Sequence, residues 1–299
     1  MPLFIVLEIL DWGLYKFLFH KLLTLKKHTM LRVLFIVPFL LSSCSEKGDY
    51  AINAAIAKTQ AAAKIAAAEL PVDSLLVGIQ DKINQAFVQS LISHKNDALV
   101  SLGNRLSDLA KTKKQNLIIY WQSYLKYHTA IFYLEGNNKK ASEQEVTNAI
   151  NLLKKVQDKN SEDYALLALM QAFSIQFKTN EAVFISTGLN DNLKQSFAQD
   201  PDNIRACYVF ASNDFYTPAK YGGGKQAQKY LLKAIALPAQ KIKNSYLPSW
   251  GKEESYELLI RTYIQQKKIA LAKKYYEEGL KQFPDSYIIK QLAPKLADK

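Results

Sequence analysis

The sequence predicts an all-α protein built from antiparallel helix hairpins stacked into an α-solenoid. Three observations lead there. No window sustains the apolar–polar alternation of a half-buried strand, while apolar residues recur at i, i+3, i+4 and i+7. The apolar stretches run for about 15–20 residues between short polar turns, the spacing of antiparallel helix neighbours. With 48% hydrophobic residues among 299, the chain has enough apolar material for a large core.

The first element is an address rather than part of the fold. "MLRVLFIVPFLLSSCSEKGDY", Met30 to Tyr50, places Arg32 before an apolar run from Val33 to Leu41, then Ser42 and Ser43 before Cys44. A run this short fits a cleaved signal better than a permanent span. Leu41-Ser42-Ser43-Cys44 resembles the lipobox of bacterial lipoproteins. That resemblance implies cleavage before Cys44, lipid attachment at its sulfur and new amine, and membrane anchoring through the acyl chains. Ser45 after the cysteine is similar to the outer-membrane class, with a periplasm-facing body as the default. Residues 1–29 fit this plan poorly, because Glu8, Asp11, Lys16 and His20 break their apolar run. They are read as lying upstream of a natural start at or near Met30; the alternative is an extra interfacial or membrane helix. The signal region is thus 1–43, with 30–43 as signal peptide, and 44–72 forms a lipidated tether. Within it "AINAAIAKTQAAAKIAAAEL" (51–70) is alanine-dense, which favours helix and equally suits a low-complexity spacer.

Pro71 stops that segment, and Asp73-Ser74 reads as the N-cap of a new helix. Residues 73–114 are predicted to form one hairpin, with Leu75, Leu76, Ile79, Ile83 and Phe87 on one buried face and Leu99, Leu102, Leu106 and Leu109 on another. Turns are expected at "KTKKQ", "EGNNKK", "QDKNSED", "QDPDN", the glycine triplet and "FPDS".

Residues 115–299 carry a repeat. In "SYELLIRTYIQQKKIALAKKYYEEGLKQFPDS", Tyr256, Leu259, Tyr263, Ala272, Tyr276 and Pro284 fall where the tetratricopeptide (TPR) pattern has its signature residues, with Gly279 at a later small position. Ile260 departs from the pattern, which expects a small residue there. Weaker copies start at Trp121, at Tyr164 and at Tyr208, the last with Ala227, Leu231 and Ala234 on its second helix. The chain therefore resembles a TPR protein: four degenerate units and a terminal capping helix at 286–297, together a TPR-like α-solenoid. "YGGGK" and "PSWGKE" (within 221–225 and 248–253) further resemble a subgroup of bacterial TPR proteins that carry GGG and P-x-WG insertions. No assigned activity comes with that resemblance.

The glycines Gly222, Gly223 and Gly224 before Lys225 raise the question of a phosphate-binding loop. The match fails, because Gln226 stands where Ser or Thr must reach magnesium, Ala219 stands where the first glycine belongs, and no strand precedes it. The hinge reading is preferred: the triplet ends one helix and aims the next. A helix start with exposed amides, assisted by Lys225, remains a simple anion site. The second insertion, 238–254, presents Trp250 either to the array or to a partner.

Catalytic chemistry is not evident. His94 and His128 are far apart with no metal-binding spacing, Cys207 sits in the apolar run "RACYVFA", and no carboxylate pair stands out. No cofactor or metal is predicted. Removing residues 1–43, with five basic against two acidic residues, leaves +9 of the formal +12 charge. Its lysines are scattered as on solvated helix faces, so no nucleic-acid partner is expected. By helical spacing, the first helices of the units project Gln122, Lys126, Asn213, Tyr216, Glu257 and Arg261 onto one inner face. That mixture suits an extended peptide or a partner helix. The expected function is a membrane-anchored scaffold that binds a protein or peptide at the cell envelope. The runner-up is a solute-binding lipoprotein serving a transporter; an enzyme comes third.

Overall fold

The computed structural model of the chain describes residues 73–239 and 244–297, and among them all regular structure is helical. The readings that concern residues 1–72, Cys44 included, lie outside the described residues. Five antiparallel pairs follow one another: α1 (Ile79–Ser93) with α2 (Asp97–Thr112), α3 (Asn116–Glu135) with α4 (Lys139–Lys154), α5 (Ser161–Ser174) with α6 (Ala182–Gln199), α7 (Ile204–Tyr216) with α8 (Ala227–Ala236), and α9 (Lys252–Gln265) with α10 (Ile269–Gln282). The first helices also touch in sequence, α1 to α3, α3 to α5, α5 to α7 and α7 to α9. This is an α-solenoid of helix hairpins, in which each pair covers the apolar face of its neighbour.

Local chemistry sets the starts. Asn138, Asn160 and Asn203 cap α4, α5 and α7 with side-chain oxygens that accept from Ala141 N, from Glu162 N and Asp163 N, and from Ala206 N. Asp163 closes a capping box by accepting from Asn160 N at 2.9 Å. At the first hairpin the expected start moves. Asp73 Oδ1 accepts from Leu75 N at 2.9 Å and opens a turn, and α1 begins only at Ile79, behind left-handed Gly78.

The apolar faces end up inside. Leu76, Ile79, Ile83, Phe87, Leu99 and Leu106 are buried, as are Trp121, Ala227, Tyr256, Leu259, Tyr263 and Ala272. Tyr164 is half-buried, Tyr276 packs on the core from its edge, and Pro284 is exposed in the turn after α10. Ile260 is itself fully buried. Close approach between α9 and α10 occurs lower down, where a Cβ on Gly279 would come within 3.3 Å of Tyr256 Cβ.

At the C-terminus the single expected helix is two short ones, α11 (Tyr287–Lys290) and α12 (Ala293–Leu296). Pro294, in the first turn of α12, has no N–H to continue a helix from α11.

Candidate functional site

The inner layer of first helices is occupied by the chain itself. Residues 244–251, between α8 and α9, pass over α1 and α3, and their main chain is held by groups from those helices. Gln80 Oε1 on α1 accepts from Ser249 N at 2.8 Å and from Trp250 N at 3.1 Å. Gly78 N donates to Ser245 O at 2.9 Å, and the Trp121 indole donates to Tyr246 O at 3.0 Å. An irregular segment has no ladder of its own, so these donors and acceptors satisfy groups that burial would leave without partners.

Trp250 is the anchor of this strap and only 4% exposed. Its indole N–H donates to the Tyr120 hydroxyl at 2.8 Å, its ring stacks on Tyr124 with centroids 6.0 Å apart, and Tyr208 meets it edge-on at 6.3 Å. Helical spacing puts Tyr120, Tyr124 and Tyr127 along one side of α3. Tyr208 comes from α7, so the anchor joins the first unit to the third. Burial holds the phenols of Tyr120, Tyr124 and Tyr208 well above the usual tyrosine range, with the Glu162 charge adding to it at Tyr120 and Glu254 at the other two. Trp250 thus fills the inner face between these tyrosines.

The six residues expected on this face have different fates. Gln122 reaches Ser107 Oγ on α2 at 3.4 Å, and Lys126 pairs with Glu145 on α4 at 3.1 Å. Asn213 and Tyr216, near the end of α7, are half-buried, the tyrosine ring edge-on to Phe215 at 4.9 Å. Glu257 is wholly buried and accepts from Arg261 one turn on. Burial outweighs that guanidinium and pushes the Glu257 carboxyl up to about 7. Its second oxygen, Oε2, has no hydrogen-bond partner among the described residues.

The glycine turn is a hinge with a built-in anion. Gly222 and Gly224 have φ of 91° and 77°, and a Cβ on Gly223 would sit on the Thr217 carbonyl oxygen. Asp214 Oδ2 then accepts from Gln226 N at 2.8 Å and Ala227 N at 2.7 Å, the first amides of α8. The protein's own carboxylate thus takes up two of the amides that an anionic ligand would use there.

The remaining reactive residues are packed for other ends. His128 is buried, its Nδ1 lies 3.0 Å from Tyr124 O, and burial pushes it down to about 4. Cys207 is fully buried with Ile204 and Ala234, and burial pushes its thiol up to about 11. Among the described residues no three His, Cys, Asp or Glu side chains gather as a metal site, and no helix is long and apolar enough to cross a membrane.

Spacing did not reveal the roles of Gln80, Tyr120 and Tyr208 at the anchor, which depend on chain returning from far along the sequence; Asp214 was missed although it caps amides only 12 and 13 residues on. The one local signal was the i, i+4, i+7 tyrosine row on α3.

Fold and site together define a helical-hairpin array whose inner face grips an irregular segment by its main chain and by one indole. Compared with known proteins, the chain matches no family model, no curated protein and no solved structure.

Proposed function

We propose that the chain is a TPR-like scaffold lipoprotein, held at the bacterial envelope through lipid on Cys44, whose inner face binds a protein or peptide partner. The observation that carries this reading is the grip on residues 244–250. Side chains of α1 and α3 already satisfy the peptide groups of a segment with no secondary structure, which is the chemistry an extended partner requires. Half-buried Asn213 and Tyr216, near the end of α7, are the candidate contacts for that partner.

Affinity capture from detergent-solubilised native membranes tests it, with the lipidated protein and an Asn213→Arg/Tyr216→Ala version as baits. One stoichiometric partner, lost with the double variant, is the expected result; equal recovery with both baits would contradict the site. Arg261→Glu is unsuitable as a probe, because it would set a second carboxylate against buried Glu257. The anchor is tested separately. Cys44→Ala should release the protein from membranes with its thermal transition unchanged, and retention in the membrane pellet would count against lipidation.

A second reading, a solute-binding lipoprotein of a transport system, is favoured by the partnerless Glu257 Oε2 beside Arg261. An amine or amide ligand would supply the missing donor. Thermal-shift screening with small amines and amides separates this from the scaffold reading, since only a solute binder gains stability there.

A further inference from the structure

We propose that the edge of the array formed by the turns within its hairpins is a docking surface for an anionic phospholipid bilayer. Antiparallel pairs stacked first helix on first helix place those turns, 94–96, 136–138, 175–181, 217–226 and 266–268, along one side. The turns that join successive hairpins fall on the opposite side. Lysines that look scattered along the sequence are thereby sorted. The within-hairpin turns hold six lysines against one acidic residue, Glu181, with Lys139 and Lys140 just after the second turn and Asp97 just after the first. The joining turns 113–115, 155–160, 200–203 and 283–286 balance four lysines against four aspartates. The long joining loop, 237–251, adds Lys241 and Lys243, which lie outside the described residues.

Apolar side chains are sorted the same way. Six of the ten large hydrophobic side chains exposed among the described residues lie within three residues of the within-hairpin turns. Phe184, 80% exposed, and Val183 open α6 after Lys178; Ile269 and Leu271 open α10 after Lys268; Ile92 ends α1 before Lys95. Among the described residues none of these three lysines ion-pairs with a carboxylate. Single exposed apolar residues are ordinary, but a row of them among cations matches the boundary layer of a bilayer. Rings and aliphatic tips enter the acyl boundary, while lysines lay their stems along it and reach the phosphates. An acidic protein would answer the charge alone. Apolar tips spread over several hairpins favour a surface into which each can sink separately.

Contact along this edge would stand the hairpins up from the bilayer and leave the inner layer of first helices, with its strap, clear of the surface. The inference does not depend on Cys44: lipid there would add an anchor, whereas the edge sets how the body sits.

The test uses the full-length Cys44→Ala chain, so that no acyl anchor contributes, and phosphatidylcholine vesicles holding about 30% phosphatidylglycerol. Cys207 is fully buried, so a maleimide-linked, polarity-sensitive fluorophore goes to an introduced thiol. On Phe184→Cys the label should brighten and shift to the blue when vesicles are added. On Tyr287→Cys, exposed beside a joining turn of the opposite edge, it should not respond. Reversing three exposed edge charges together, Lys140→Glu, Lys225→Glu and Lys268→Glu, should weaken vesicle binding by about tenfold or more. Salt at about 0.5 M should weaken it likewise in the chain with its lysines intact, a check that does not depend on the triple variant folding. Equal responses from the two labels, an equal Phe184→Cys response with pure phosphatidylcholine, or binding unmoved by both salt and charge reversal would each overturn the proposal. So would a Phe184→Cys response to soluble polyglutamate as large as that to vesicles, which would assign the edge to an acidic protein instead.

Discussion

Trp250 and Tyr120 are 130 residues apart in sequence, and their side chains share a hydrogen bond of 2.8 Å inside the array. That bond closes the inner face. It ties the loop before the last hairpin to α3, the first helix of the second hairpin, and places an indole where a repeat array ordinarily keeps open surface. The stability and accessibility of the face therefore depend on one loop.

Removing either partner alone leaves a buried polar group behind. Trp250→Phe leaves the Tyr120 hydroxyl without its donor, and Tyr120→Phe leaves the indole N–H without its acceptor; each should cost about 1–3 kcal/mol. The double variant leaves neither, so its cost should fall short of the sum by about 1 kcal/mol or more. Urea unfolding of the four proteins measures this, and simple additivity would show that the bond is not formed. Trp250→Ala, which empties the anchor position, should cost about 3–5 kcal/mol.

The hinge can be tested by two substitutions that act differently. Asp214→Ala removes the carboxylate from the first amides of α8 and should cost about 1–2 kcal/mol. Gly223→Ala forces a methyl onto the Thr217 carbonyl and should cost more, because backbone must move. Thermal unfolding of both variants would refute the hinge geometry if Gly223→Ala proved the milder.

Buried carboxylates should make the protein less stable as pH rises. Glu257 titrates near 7 in the fold, so between the ordinary carboxylate range and that pH the native state holds a proton the unfolded chain has lost. Stability falls across that window, and the loss is complete above it. Burial, and next the Glu253 charge, push Glu254 in the same direction. His128 opposes them: its pKa drops from 6.5 to about 4 in the fold, so it costs stability as pH falls through that interval. Glu257→Gln should therefore narrow the difference in melting temperature between pH 5.5 and pH 8. An unchanged pH profile would mean that Glu257 is ionised throughout.

How much of this was legible beforehand follows from where the information sits. Helix faces such as Leu99, Leu102 and Leu106 depend on neighbours three and four residues away, and the sequence displays that period directly. Turns rich in Gly, Pro, Asn and Asp were visible for the same local reason. The break between α5 and α6, at 175–181, escaped because "IQFKTNE" contains neither Gly nor Pro. Glu257 shows the limit of face arithmetic. Its register does place it on an inner helix, but spacing cannot tell whether packed neighbours then bury that position. The strap was least legible, since Gln80 and Trp250 acquire their roles only when the stacked hairpins bring residues 170 positions apart into contact.

The claim on which the account rests is that the inner face grips the main chain of residues 244–250. Hydrogen exchange resolved to single amides tests it most directly. In the full-length protein the amides of Ser249 and Trp250 should be protected, and Gln80→Ala should release both while leaving the α9 amides from Tyr256 to Tyr263 protected. Exchange of Ser249 and Trp250 at unprotected-loop rates in the unmodified protein would contradict the grip, and with it the proposal of a partner-binding face.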